Sequence, residues 1–222
     1  MSEQTTEIAY IPLASGLDLS SGDTQKMLEE TLGTIKSQPG CKSLFWGRQI
    51  EHPDVMQMVI DWESIESHKD FMNSPSYGPF IERLKPLLAG PPHLLHVKLP
   101  SQSPFSHPGA APITECISMY FEPSYSTASY DPNWAKFKEG VEQMAKEAQG
   151  LTGGWGVEDV KHTVFGKEGE EGEGKLFWAV IGWPSVDAHM KFRETEEFKK
   201  VIPYLREGPK ALEVHHVAFQ KF

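Results

Sequence analysis

The sequence predicts an α+β fold made of two copies of one unit in tandem. Three observations predict it. A segment recurs at a constant offset, each copy supports the same order of strand-like and helix-like stretches, and a proline-rich stretch separates them. Residues 59–74 align with residues 180–195 at an offset of 121, and six of the sixteen positions are identical: Val, Ile, Trp, Ser, His and Phe. The pairing extends loosely to His96-Val97 and His216-Val217, and upstream to Trp46-Gly47 and Trp155-Gly156. Residues 100–112 between the copies hold four prolines with serine and glycine, which predicts an extended, semi-rigid linker. The expected domains are therefore 1–100 and 113–222, with 101–112 as linker.

Each copy opens on a strand, at residues 7–13 and 114–121. A helix follows. In the first copy Met27, Leu28, Thr31, Leu32 and Ile35 fall at helical spacing, and Pro39-Gly40 stops the run. In the second, Asp131 is placed to cap a helix with Pro132 at its first position, and Trp134, Phe137, Val141, Met144 and Ala148 continue it. Two strands come next, at 44–50 and 55–62, and at 154–165 and 176–183. A solvated acidic loop at 166–175 joins the second pair. A second helix starts at Ser64 or Ser185, and a last strand closes each copy at 94–99 and 214–222. The order β-α-β-β-α-β is ferredoxin-like. Such a sheet carries helices on one face only. Residues 176–183 are apolar on both faces, as in a strand buried on both sides. Packing the two half-sheets face to face within one chain would satisfy both facts.

Composition narrows the function. Apolar residues are 39% and charged residues 23% of 222, ordinary for a soluble globular protein, and no run approaches the length of a membrane span. The polar, acidic N-terminus lacks a secretory pattern, which predicts a cytoplasmic protein. A net charge of −10 argues against nucleic acid and anionic membranes as partners. Cys41 and Cys116 are unclustered and receive no role. Gly169 to Lys175 imitates a phosphate loop, but Leu176 replaces the required hydroxyl residue and the loop is acidic. His93-x-x-His96 and His215-His216 suggest metal ligands. With no third ligand near either in sequence, no metal is expected.

Trp-Gly, then an apolar strand ending in Trp, then Ser-x-x-x-His-x-x-Phe, resembles the dimeric α+β barrel superfamily. Within it the chain is most similar to antibiotic biosynthesis monooxygenase (ABM) domains and to stress-responsive barrel domains. The resemblance implies an intramolecular dimeric α+β barrel for which a monomer suffices, with homo-oligomers left open. It also implies binding or cofactor-free oxygenation of a small aromatic or polyketide-like molecule of secondary metabolism. In the oxygenases a Trp at this strand end and a polar residue six positions later border the pocket, which gives Trp62 with His68 and Trp183 with His189. An Asn four positions before the Trp is common there. Met58 and Ala179 hold that place, which argues against haem degradation. The Tyr and His of the plant polyketide cyclases correspond to Phe71 and Tyr77, and to Phe192 and Phe198.

The residues themselves support a pocket. Ile65, His68 and Phe71 lie three apart on the second helix, as do Val186, His189 and Phe192, so each His sits on the apolar face. Trp62 shares a strand face with Met58 and Ile60. A half-buried imidazole beside aromatic walls can serve as a general base near neutral pH. The expected catalytic residues are His68 and His189. The expected substrate-binding residues are Trp62, Tyr77, Phe71, Trp46, Met58, Trp183 and Phe192. Two other readings stay open: a non-catalytic ligand-binding or stress-related barrel, and a polyketide cyclase or lyase.

Overall fold

The computed structural model describes residues 3–222. In the first unit β1 (Thr5–Pro12) leads to α1 (Gly22–Lys36), β2 (Cys41–Arg48), β3 (Val55–Trp62), α2 (Ile65–Met72), α3 (Tyr77–Leu84) and β4 (His93–Val97). In the second, β5 (Ile113–Phe121) leads to α4 (Thr127–Met144), β6 (Leu151–Trp155), β7 (Val160–His162), β8 (Gly172–Trp183), α5 (Val186–Arg193), α6 (Glu196–Arg206) and β9 (Ala211–Val217). A short final strand, β10 (Gln220–Lys221), ends the chain. The first sheet has the order β10-β2-β3-β1-β4. The second has β6-β8-β5-β9, with β7 paired to β8. Both units are ferredoxin-like, and the α+β class and the repeat hold. Among the described residues no helix is long and apolar enough to cross a membrane.

Strand alternation builds each core. Ala9 and Ile11 of β1, and Met56, Met58, Ile60 and Trp62 of β3, turn one face toward Leu28, Leu32 and Ile35 of α1. Ile117 and Met119, with Phe177, Ala179, Ile181 and Trp183, do the same toward Phe137 and Val141 of α4. On β8, Trp178 and Val180 are as buried as Ala179, so that strand is covered on both faces as its composition predicts. Ser64 and Ser185 cap their helices as expected, accepting from the backbone N–H of Ser67 and of Ala188.

Several boundaries differ from expectation. Helix α4 begins at Thr127, so Asp131 is no cap and Pro132 lies inside the helix. The proline removes one backbone donor. Tyr130, two residues before it, is fully buried, and its hydroxyl donates to the Leu205 carbonyl at 3.1 Å. Asp131 instead accepts from the Trp155 indole at 2.8 Å. The second helix of each copy is two helices. Pro75 follows the end of α2, and Thr195 starts α6 by accepting from the N–H of Phe198. The strand expected at 154–165 breaks after Trp155 and resumes as β7, opposite Gly172–Gly174. The last strand of the second copy is likewise interrupted, as β9 and β10.

The linker is folded rather than extended. The chain divides into one compact unit running up to His96 together with Phe219–Phe222, and another of Val97–Ala218. The segment 97–112 thus belongs to the second unit. Phe105 is fully buried against Trp178, and a 3-10 turn spans Pro108–Ala110. An apolar aromatic within a polar, proline-rich stretch anchors it. Lys98 N–H donates to the Trp155 carbonyl at 3.1 Å, and a side chain at Gly154 would run into the Lys98 carbonyl. Gly154→Ala should therefore cost about 1–3 kcal/mol in urea unfolding, the usual range for overpacking. Gly78→Ala, in α3 with nothing within 4 Å, should be neutral or stabilising by up to about 1 kcal/mol. Equal effects would remove the close approach as the cause.

Candidate functional site

In the first unit a buried polar chain lies under the helices. The Trp62 indole N–H donates to Glu7 Oε2 at 2.7 Å. The same carboxylate oxygen lies 3.5 Å from His68 Nε2. On the other side of that ring, His68 Nδ1 lies 2.8 Å from His96 Nε2. Trp62 and His68 stack with centroids 5.2 Å apart and planes 17° apart. Glu7, Trp62 and His68 are all at least 96% buried, whereas His96 is half-buried.

The second unit repeats this arrangement residue for residue, with the Trp and the His on different oxygens of the carboxylate. Trp183 donates to Glu115 Oε2 at 2.9 Å, His189 Nε2 lies 3.3 Å from Glu115 Oε1, and His189 Nδ1 lies 2.8 Å from His216 Nε2. Trp183 stacks on His189 at 5.2 Å and 20°. The local causes are the same. The capping serine starts the helix so that its fourth residue, the His, points back at the strand end carrying the Trp. The Glu stands in the inward row of the opening strand, and Glu115 is directly across from His216 on β9.

Above each chain is a cavity. In the first unit it measures about 200 Å³ and is lined by Glu7, Met58, Trp62, His68, Phe71 and Tyr77, among apolar neighbours. Five predicted residues of that copy therefore meet in one place. Trp46 does not line the cavity; it packs half-buried against the same core from β2. In the second unit a cavity of about 300 Å³ is lined by Glu115, Trp183, His189, Phe192, Phe198 and two arginines. The sequence reading missed Glu7, Glu115, His96 and His216 as site residues. Setting the histidines aside for want of a third ligand is also corrected. Glu7, His68 and His96 each offer a ligand atom within 4.8 Å of the others. Their partners come from distant strands, so local spacing could not reveal them. The available signal was a carboxylate in an apolar strand row, at the same place in both copies.

As they stand the three residues form a polar chain, one His68 nitrogen toward His96 and the other toward Glu7, and their ligand atoms are close enough together to suit a metal ion as well. Which His68 nitrogen carries the proton sets which of the two contacts it donates to. Burial, and next the Glu7 charge, push the Tyr77 phenol up, so its hydroxyl remains a donor toward the first cavity.

In the second unit burial pushes the Glu115 carboxyl up to about 7, against the Trp183 hydrogen bond and the Arg193 charge. The folded state thus keeps a proton that the unfolded chain releases near 4.5. Stability from this group is full below about 4.5 and falls until about 7. The size is on the order of 3 kcal/mol. Glu115→Gln keeps an acceptor for Trp183 and should flatten that part of the stability–pH curve, measured by urea unfolding from pH 4.5 to 8. An unchanged slope would mean that Glu115 titrates normally.

Residues 23–83 match the family model for antibiotic biosynthesis monooxygenase. No curated protein matches the sequence. Whole-chain likeness to solved structures is clear but distant. An anthrone oxidase-like protein matches with a TM-score of 0.66 at 12% identity, covering 99% of this chain and 94% of the other. A provisionally named monooxygenase from Lactobacillus acidophilus NCFM matches with a TM-score of 0.63 at 8% identity, over 99% and 96% of the two chains. Another so named, from Fusobacterium nucleatum, matches at 0.60 and 9%, over 99% and 94%. At these identities the likeness is one of fold.

Proposed function

We propose that this chain, an ABM-type protein of two ferredoxin-like domains in tandem, binds a small aromatic or polyketide-like molecule in its first-domain cavity and oxygenates it without a cofactor. The observation that carries the reading is a buried carboxylate–imidazole pair, Glu7 and His68, opening onto a cavity walled by Trp62, Phe71 and Tyr77. Flat apolar walls suit a flat ring system, and the pair supplies the single polar function such a reaction needs.

A phenol, hydroquinone or anthrone-type methylene loses a proton to the pair. Because both His68 nitrogens already face protein groups, Glu7 takes part as the proton acceptor, and His68, backed by half-buried His96, holds the carboxylate in place until it returns the proton. The electron-rich carbanion or phenolate then reduces oxygen directly, and carbon and oxygen join as a peroxide. For a methylene, return of the proton and loss of the second hydrogen yield a carbonyl and one water. Tyr77, held protonated, can donate to the developing oxyanion. In this reading Trp62 orients Glu7 and walls the pocket.

A second reading, a non-catalytic barrel whose pocket is narrowed by its own aromatics, is favoured by the cavity's size: about 200 Å³ lies below the usual range for ligand sites, roughly 300–1,000 Å³. Oxygen uptake separates the two. Pure protein without added metal, flavin or nicotinamide is given anthrones, hydroquinones and related polyphenols. Uptake above autoxidation should fall about 100-fold or more in Glu7→Gln and in His68→Ala, the usual weight of general-base catalysis. Trp62→Phe should keep the wall, lose the Glu7 hydrogen bond and shift the pH profile. Binding with no uptake on any substrate would leave the second reading, and unaltered uptake in both base variants would remove the pair from the chemistry.

A further inference from the structure

The two cavities share a polar floor but differ at the rim. In the second domain Arg193 is the last residue of α5 and Arg206 the last of α6; both are exposed and both line the cavity. Among the described residues neither guanidinium has a carboxylate at ion-pair distance. Arg193 makes a long approach to the Met190 sulfur at 3.8 Å. A cation is favoured at any helix C-terminus. That alone does not bring two unpaired guanidiniums to one cavity rim, in a chain of net charge −10.

The first domain supplies the contrast. The positions matching Arg193 and Arg206 hold Met72 and Lys85. Neither lines the first cavity, and Lys85 is paired with Glu82. The aromatic wall differs in the complementary sense: Tyr77 with its hydroxyl in the first cavity, Phe198 in the second. The first cavity thus offers a neutral donor and no cation, the second two cations and a purely apolar wall. The field of Arg193 also reaches inward, since it acts on Glu115 at the floor.

We propose that the second-domain cavity is a separate binding site for an aromatic anion, a ring carrying one carboxylate. The ring lies among Trp183, Phe192 and Phe198, and the carboxylate is held at the rim by Arg193 and Arg206. Guanidinium forks match a carboxylate in geometry and charge. The proposal is independent of any oxygen chemistry in the first domain.

Calorimetric titration of the full-length protein with 1-hydroxy-2-naphthoate and with its methyl ester tests it. The two share the ring and differ in charge. The carboxylate should bind at least about tenfold more tightly than the ester, and the preference should shrink as salt is raised, because the arginines are at the surface. Arg193→Gln combined with Arg206→Gln should abolish the preference while leaving ester binding and the circular dichroism spectrum unchanged. Glu7→Gln, in the first domain, should leave carboxylate binding intact, which separates this site from the proposed oxygenase site. Equal binding of acid and ester, a preference that survives in the double variant, or no carboxylate binding at millimolar concentration would each overturn the proposal.

Discussion

A carboxylate withdrawn from water must be held by donors or be neutralised, and in each domain this requirement organises the site. Glu7 and Glu115 are each approached by an indole N–H and an imidazole nitrogen. Those donors come from a strand end and from a helix start, so strand, helix and opening strand must be positioned together for the carboxylate to be satisfied. The stacked Trp and His, the cap serine and the inward Glu form one mutually dependent unit. Loss of any member leaves a buried polar group unpaired, which costs more than the hydrogen bond itself contributed.

Duplication followed by divergence accounts for the differences between the domains. The floor is preserved to within a few tenths of an ångström, while the residues at the cavity mouth have changed in both charge and polarity. A floor that recurs in both copies is consistent with structural need, with chemistry, or with both. The two arginines at the second rim carry no such structural constraint, because their side chains are exposed. Divergence at the rim is therefore free of the pairing demands that hold the floor.

Much of the fold was legible in sequence because it rests on local signals. Periodicity two in β3 and β5, helical spacing in α1, and the serine caps of α2 and α5 all act within a few residues. The site was half legible. Trp62, His68, Met58, Phe71 and Tyr77 lie within twenty residues of one another, and their faces follow from spacing. Glu7 and His96 reach His68 only through the pairing of β1 with β3 and β4, which no local pattern encodes. The errors have similar causes. Tyr130 draws an extra turn into α4 past a proline that normally marks a helix start, and Phe105 folds a stretch whose composition reads as a spacer.

The strand β10 gives the chain an unusual order of completion. It adds Gln220 and Lys221 to the edge of β2, and the N–H of Phe222 donates to the Leu44 carbonyl at 3.0 Å. The residues that finish the first domain's sheet are thus translated after the whole second domain. During synthesis β2 is an open edge, free to pair with any extended segment nearby. The first domain's sheet is completed only when residues 220–222 join β2.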